Sequence, residues 1–450
     1  MSLDMWQGAE QEYAAEAQSV ALFEALGERG VFVFRPVENI PRACLRNGGV
    51  CYVHSNLFEV STPECRNALQ LVAYDKASEA YARLAAWALE EVTGRSAHLY
   101  RTNIASDPKG GEGYTTVGAH ENYLVERRKY EEGARLIVPY LVMRQIFVGA
   151  GGYVGGSYLI SPRAIFPKKV YSEVSTDYPI VSVRDEPHAG EGFYRVHVVN
   201  GEGARSEYTT LLKHSVTSYV LHAIQNGHME DAPDLSNPIA AGEEISRNLE
   251  GDWTVELADG RKIGVTEYLN SYYLEGVERV FAERGAEEHD EQALKEFKWV
   301  LRKLDEGLIE ALDRSVEWVI KLGLIEKGLE ENFQLEEGLE GASAKEAAAF
   351  QYTAVTDPLF ETLVERHGIR TVVSEEDVER AFMDPPGESR GGLRVAIADR
   401  FEGSLASLSW SYAKLRKGRT IVPYDFLNLD GWTRKEVTRT LSEIERLLKG

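Results

Sequence analysis

The chain has 450 residues, 43% hydrophobic and 27% charged, an ordinary globular composition with enough length for more than one domain. Its 50 Lys and Arg stand against 72 Asp and Glu, a formal net charge of −22, which disfavours nucleic acid or an anionic membrane as a partner. The three cysteines, Cys44, Cys51 and Cys65, have no C-x-x-C spacing. They support neither a disulfide framework nor a zinc knuckle, and point to a reducing cytoplasm.

The opening stretch MSLDMWQGAE has no basic start and no apolar core, so a signal peptide is not expected, and no uncharged run approaches the ~18 residues of a membrane span. A first strand is expected around Met5 to Tyr13, followed by a helix over 15–28 and a strand over 30–34. The Asn47-Gly48-Gly49 turn leads into a strand carrying Tyr52. Residues 68–94 form a long amphipathic helix with Gly94 as its C-cap.

Strands are expected at 97–103, 138–148, 157–160, 179–183 and 194–199, and a helix at 209–226. Asp259-Gly260 marks a hairpin over 253–264. Leu294, Phe297, Leu301, Leu304 and Leu308 give residues 288–325 helical spacing. The Glu- and Gly-rich segment 328–346 reads as a solvated connection. A helix from Ser374 to Phe382 ends at Asp384-Pro385-Pro386-Gly387, and residues 390–450 carry strands near 406–412 and 419–422 and a last helix at 433–449. The pattern is α+β, with antiparallel strands and helices segregated to one face. No phosphate loop of the G-x-x-x-x-G-K-[ST] type is present.

Glu10 and Glu12 are two apart on one strand, so their side chains share a face. Alone, such a pair is most often a solvated face. If buried, the two carboxylates repel unless a cation such as Mg²⁺ lies between them. Tyr52 and His54 share a face of their own strand, with Glu59 and Thr62 following a turn. Tyr52 and Glu59 reach a metal held by Glu10 if the two strands are neighbours. Two further stretches, GAHENY at 118–123 and RDEPHA at 184–189, crowd ionisable groups where a strand core would be apolar. Arg144 is a single cation in an apolar run, open between a structural ion pair and a phosphate contact.

Taken in order, GAEQEY at 8–13, NGG at 47–49, EVSTPEC at 59–65, HENYL at 120–124, RQ at 144–145, RDEPHA at 184–189, SEYTTLLK at 206–213, WVIK at 318–321 and PPGESR at 385–390 resemble the family of Pup ligases and depupylases. That family attaches and removes a small ubiquitin-like modifier and is related to glutamine synthetase and the carboxylate–amine ligases. The chain looks closer to the ligase branch. The resemblance implies a curved, glutamine-synthetase-like antiparallel sheet over 1–385 with helices on one face, and a small C-terminal α/β domain over 386–450. It implies ATP and Mg²⁺ as cofactors, with Glu10, Glu12, Tyr52 and Glu59 at metal positions. Thr62, Trp410, His120 and Arg144 are the expected nucleotide contacts, and His54, Arg184 and His188 the expected catalytic groups.

The implied reaction phosphorylates a glutamate γ-carboxylate on a Pup-like modifier and couples it to a lysine of a protein substrate. The chain departs from the family at His54, where an aspartate serves as base, at Val50, where an arginine contacts ATP, and in the added DPKGGEG segment at 107–113. A neutral imidazole accepts a proton but brings no negative charge to a lysine ammonium. Phosphotransfer to a small-molecule acceptor, depupylation or deamidation, and an inactive nucleotide-binding homologue therefore stay open as alternatives.

Overall fold

The computed structural model describes residues 3–36, 41–106, 114–332 and 342–449. At its centre runs the strand Gln7–Ala15, whose alternation is visible in its burial: Gln7, Ala9, Gln11 and Tyr13 are buried, while Gly8, Glu10 and Glu12 are half-buried. On one side it pairs antiparallel with Leu57–Ser61, then Val50–His54, Arg42–Leu45 and Phe32–Phe34. On the other it pairs antiparallel with Ala119–Glu126, then Phe193–Val198, Val181–Ser182 and Tyr171–Ser172, the last pair being parallel. The short strand Leu99–Tyr100 joins the C-terminal end of the central strand.

Helices cover one face of this sheet. The helix Ala68–Thr93 is rich in alanine, and Ala77, Ala82, Ala85 and Ala86 are buried, which lets it lie close to the sheet. Asn67 caps its start by accepting from Gln70 N at 2.9 Å, and Gly94 ends it in the left-handed region, as the sequence predicts. Tyr13, Phe58, Val60 and Cys51 pack with Tyr81 and Ala85. Tyr123, Val196 and Val198 pack into the larger core with Leu212, Val216 and Tyr219 of the helix Glu207–Gln225. The opposite face of the sheet is left open as a polar cleft.

Beyond the Phe32–Phe34 edge, the helix Arg390–Phe401, three antiparallel strands (Leu405–Leu408, Tyr412–Lys417, Thr420–Asp425) and the helix Arg434–Lys449 share a small core of Leu393, Ile397, Phe401, Leu415 and Ile444. Cys44 of the main sheet belongs to that core.

Several expectations are corrected. The run 138–148 is not a strand but two short helices, Ile137–Met143 and Gln145–Val148. It is buried on every side, so no periodicity separates helix from strand, and Pro139 sits in a first helical turn, where no intrahelical N–H is needed. The helix 288–325 breaks after Asp305 at Gly307, whose φ is +69°, and resumes at Glu317. The strand at 97–103 shrinks to Leu99–Tyr100. The DPKGGEG segment and the middle of the Glu- and Gly-rich connection, 333–341, lie outside the described residues. Among the described residues no helix is long and apolar enough to cross a membrane.

Candidate active site

Register fixes the open face. Glu10 stands opposite His120 on one neighbour and Ser61 on the other. Glu12 stands opposite Glu59, and Glu59 opposite Tyr52. His197 stands opposite Asn122. Because side chains alternate, this places Arg195 and His197, His120 and Asn122, Glu10 and Glu12, Glu59 and Ser61, and Tyr52 in successive rows of one face.

Glu10 is the hub. Its Oε1 accepts from Asn122 Nδ2 at 3.0 Å, and its Oε2 lies 3.3 Å from His120 Nδ1. Arg195 Nη1 in turn donates to Asn122 Oδ1 at 3.3 Å. The His120 and His197 rings meet edge to face at 5.4 Å. One ligand atom each from Glu10, His120 and His197 lies within 4.8 Å of the other two. Both ring nitrogens of His197 are shielded from solvent and have no hydrogen-bond partner.

Burial works against ionisation of Glu10, yet the His120 hydrogen bond and the Arg195 charge hold its carboxyl below the usual range. Burial pushes His197 down to about 3, which leaves a neutral imidazole with free lone-pair capacity.

On the other side of Glu10 the chemistry is inverted. Tyr52 Oη donates to Glu59 Oε1. Burial, then the charges of Glu12 and Glu10, push the Glu59 carboxyl well above its ordinary value. Burial, then the charges of Glu59 and Glu10, push the Tyr52 phenol up. Three carboxylates on one face with no cation facing Glu59 form a donor set suited to a hard divalent ion, and the orphaned nitrogens of His197 suit a second metal contact.

The face runs into an open pocket at the N-terminal end of the central strand. Its walls include Gly8, Glu10, Thr62, Asn122, His188, Arg195, Arg390 and Trp410. The Thr62 hydroxyl accepts from Ala9 N at 3.0 Å and so staples this wall to the central strand.

The structure thus brings Glu10, Glu12, Tyr52, Glu59 and His120 onto one face, and Thr62, His188 and Trp410 into the adjoining pocket. Three expected residues stand apart. Arg144 lies between two short helices on the covered side of the sheet, 5% exposed, where its Nη1 donates to Glu121 Oε2 at 2.8 Å and to Thr217 Oγ1 at 2.7 Å. It is the structural ion pair, not a contact of the open cleft. Arg184 is exposed and donates to the Glu173 carbonyl at 3.3 Å, outside the pocket walls. His54 is exposed at the end of its strand, beside a two-residue hairpin turn in which Ser55 and Asn56 both have positive φ.

Other residues at the site are not singled out by the sequence. His197 and Arg195 carry the same i, i+2 polar alternation that draws attention to Glu10 and Glu12, so that signal was available. Arg163 is buried, and its Nε and Nη1 have no partner. It sits so close to Gly118 that a Cβ there would lie 2.7 Å from both Arg163 Nη1 and His120 Nε2. Glu64, two residues beyond Thr62, holds Arg390 and Arg394 in buried ion pairs of 2.7 Å.

A large, mainly antiparallel sheet backed by helices on one face, with carboxylates lining the other, defines an α+β protein. Two solved structures share the fold. One is the complex of the prokaryotic ubiquitin-like protein Pup with its ligase PafA, with a TM-score of 0.81 at 23% identity over 99% of this chain and 93% of that one. The other is the Pup ligase PafA in complex with ADP, with a TM-score of 0.76 at 24% identity over 90% of each chain. The model of the Pup-ligase protein family matches residues 4–414. A Pup–protein ligase of Xylanimonas cellulosilytica is 33% identical over 371 residues, 78% of this chain and 79% of the relative. A depupylase of Acidothermus cellulolyticus is 31% identical over 382 residues, 81% of this chain and 73% of the relative. The chain belongs to the Pup-ligase protein family.

Proposed function

We propose that this chain is an ATP- and Mg²⁺-dependent ligase that joins the γ-carboxylate of a glutamate on a Pup-like modifier to a lysine amine of a protein substrate. The observation that carries this reading is the position of Glu10. It stands between the His120–His197 pair and the Glu12–Glu59–Tyr52 group, and it lines a pocket whose walls also include Trp410. Glu10, Tyr52 and Glu59 would hold one divalent ion, with Glu12 beside them, and Glu10, His120 and His197 a second. Such ions neutralise phosphate charge during phosphoryl transfer.

The chain's own groups divide the remaining work. Thr62 and Trp410 shape the nucleotide pocket, and the indole offers a face to a base. Arg163 and Arg195 present guanidinium N–H groups toward the face on which a carboxylate or phosphate would lie, a role for fixed donors in a water-poor site. The phosphoryl group passes from ATP to the γ-carboxylate with release of ADP, and the amine then displaces phosphate to form the isopeptide. His54, at the exposed end of its strand, would in this reading be the base that takes the ammonium proton.

The second reading is transfer of phosphate to a small-molecule acceptor without amine coupling. It is favoured by His54 itself, an exposed imidazole that supplies no fixed negative charge to gather a lysine. Incubation with labelled ATP and Mg²⁺, with and without a Glu-terminated modifier and a lysine-bearing protein, tests both. ADP formation that requires modifier and protein, with an isopeptide found by mass spectrometry, supports ligation. ADP formation with small metabolites alone supports the second reading, and no turnover with any acceptor overturns both. In the same assay Glu10→Ala abolishes Mg²⁺-dependent nucleotide binding by calorimetry.

A further inference from the structure

Trp410 is half-buried, with part of its side chain lining the pocket. Behind it lies Arg394, whose side chain is 1% exposed and which is not among the pocket walls. The guanidinium carbon of Arg394 sits 4.8 Å from the centre of the Trp410 ring. Its Nη1 donates to Trp410 O at 3.0 Å and to Glu64 Oε1 at 2.7 Å. Its Nη2 donates to Glu64 Oε2 at 2.7 Å and to Gly48 O at 2.6 Å. Glu64 is thus gripped by a fork, the strongest geometry for this pair. The same carboxylate accepts from Arg390 Nε at 2.9 Å, and Arg390 also donates to the carbonyl of His188, another pocket wall.

We propose that Arg394, held by Glu64, is a positioning residue for nucleotide. It fixes the plane of Trp410 by stacking behind the ring and tethering its main chain, and so sets nucleotide affinity without touching the nucleotide. This rests on the reading of the pocket as the nucleotide site. A planar guanidinium supplies both the stack and the fork; an ammonium at the same place keeps the charge toward Glu64 but supplies neither.

The test is calorimetric titration of the full chain with Mg·ADP, paired with steady-state kinetics in ATP. Arg394→Lys raises the ADP dissociation constant and the KM for ATP by about fivefold to tenfold, with kcat within about twofold of native. Loss of packing alone would lower the melting temperature without this split between KM and kcat. In a Trp410→Leu background, Arg394→Lys changes ADP affinity by less than about twofold, because the group it orients is gone. Unchanged ADP affinity in Arg394→Lys, or fully independent effects of the two substitutions, overturns the proposal.

Should Arg394→Lys fail to fold, the single variant Arg394→Met removes the guanidinium and leaves Glu64 paired with Arg390 at 2.7 Å, so that no buried charge is left alone. It too must bind ADP about fivefold or more weakly, and native affinity overturns the proposal. A Trp410→Leu variant with native ADP affinity sinks the nucleotide reading of the pocket, and this proposal with it. A weakened Trp410→Leu beside a native Arg394→Lys sinks only the role of Arg394.

Discussion

Glu12 and Glu59 stand directly opposite each other on adjacent antiparallel strands, with both carboxylates on the open face. Like charges in that relation destabilise a sheet by roughly 0.2–1 kcal/mol, more where solvent is excluded. Glu59→Gln therefore leaves the metal-free protein at least as stable as native in thermal melts with chelator. It also removes most of the rise in melting temperature that Mg·ADP gives the native protein. A variant that is stabilised by Mg·ADP as fully as native would separate Glu59 from the metal wall.

His54 closes its strand at the rim, on the same face as Tyr52. His54→Asp adds a negative charge where an incoming ammonium would pass. With modifier and lysine protein supplied, the rate of isopeptide formation rises by about tenfold or more, within the range of a positioned general base. ADP formation in the absence of amine changes little. Equal coupling rates in the two proteins would make the imidazole a bystander.

Arg144 and Glu121 form a buried pair on the covered side of the sheet, with Tyr123 Oη adding a bond of 2.7 Å to Glu121. Burial opposes ionisation of Glu121, but the Arg144 charge and hydrogen bond hold its carboxyl down at about 2. Arg144→Met strands a carboxylate in the core and lowers unfolding free energy by about 3–5 kcal/mol in chemical denaturation. Folded Arg144→Met binds Mg·ADP with native affinity. A selective loss of nucleotide binding in a stable variant would return Arg144 to the site.

Glu64 gives a pH signature. Burial opposes its ionisation, but Arg394 and Arg390 hold its carboxyl down to about 2, against an ordinary value of 4.5. A depressed folded value contributes stability that is fully present above the unfolded value and is lost as pH falls through the folded one. The loss therefore runs from about pH 4.5 down to about 2, and amounts to roughly 3 kcal/mol. Urea melts at stepped pH show the native protein losing its advantage over Glu64→Gln across that window. A gap that stays constant from pH 6 to pH 3 would count against it.

Some of this was legible in the chain. Glu10-x-Glu12 and Tyr52 announce a polar strand face, and Gly94 closes a helix by local chemistry alone. The run 138–148 was not legible, because a segment buried on all sides has no amphipathic period to read. Nor was the meeting of Glu10 with His120 and His197: strand pairing is a tertiary fact, and nothing local in YRVHV says that its neighbour carries HEN. Arg144 misled because a lone cation in an apolar run looks alike whether it awaits a ligand or an internal carboxylate. Glu64 was hidden for the opposite reason, since its two partners lie more than three hundred residues downstream in PPGESR and the helix that follows.

That long span has a consequence for biosynthesis. Trp6 and Leu429 line the same pocket. During translation, the sheet and its carboxylate-lined face are complete once residue 198 has emerged, but the wall bearing Trp410 and Leu429 follows only after the long helical stretch between them has been made. A partly made chain thus carries the charged face without the chamber beside it, and that chamber cannot close around a guest until the Trp410–Leu429 wall has been made and has docked.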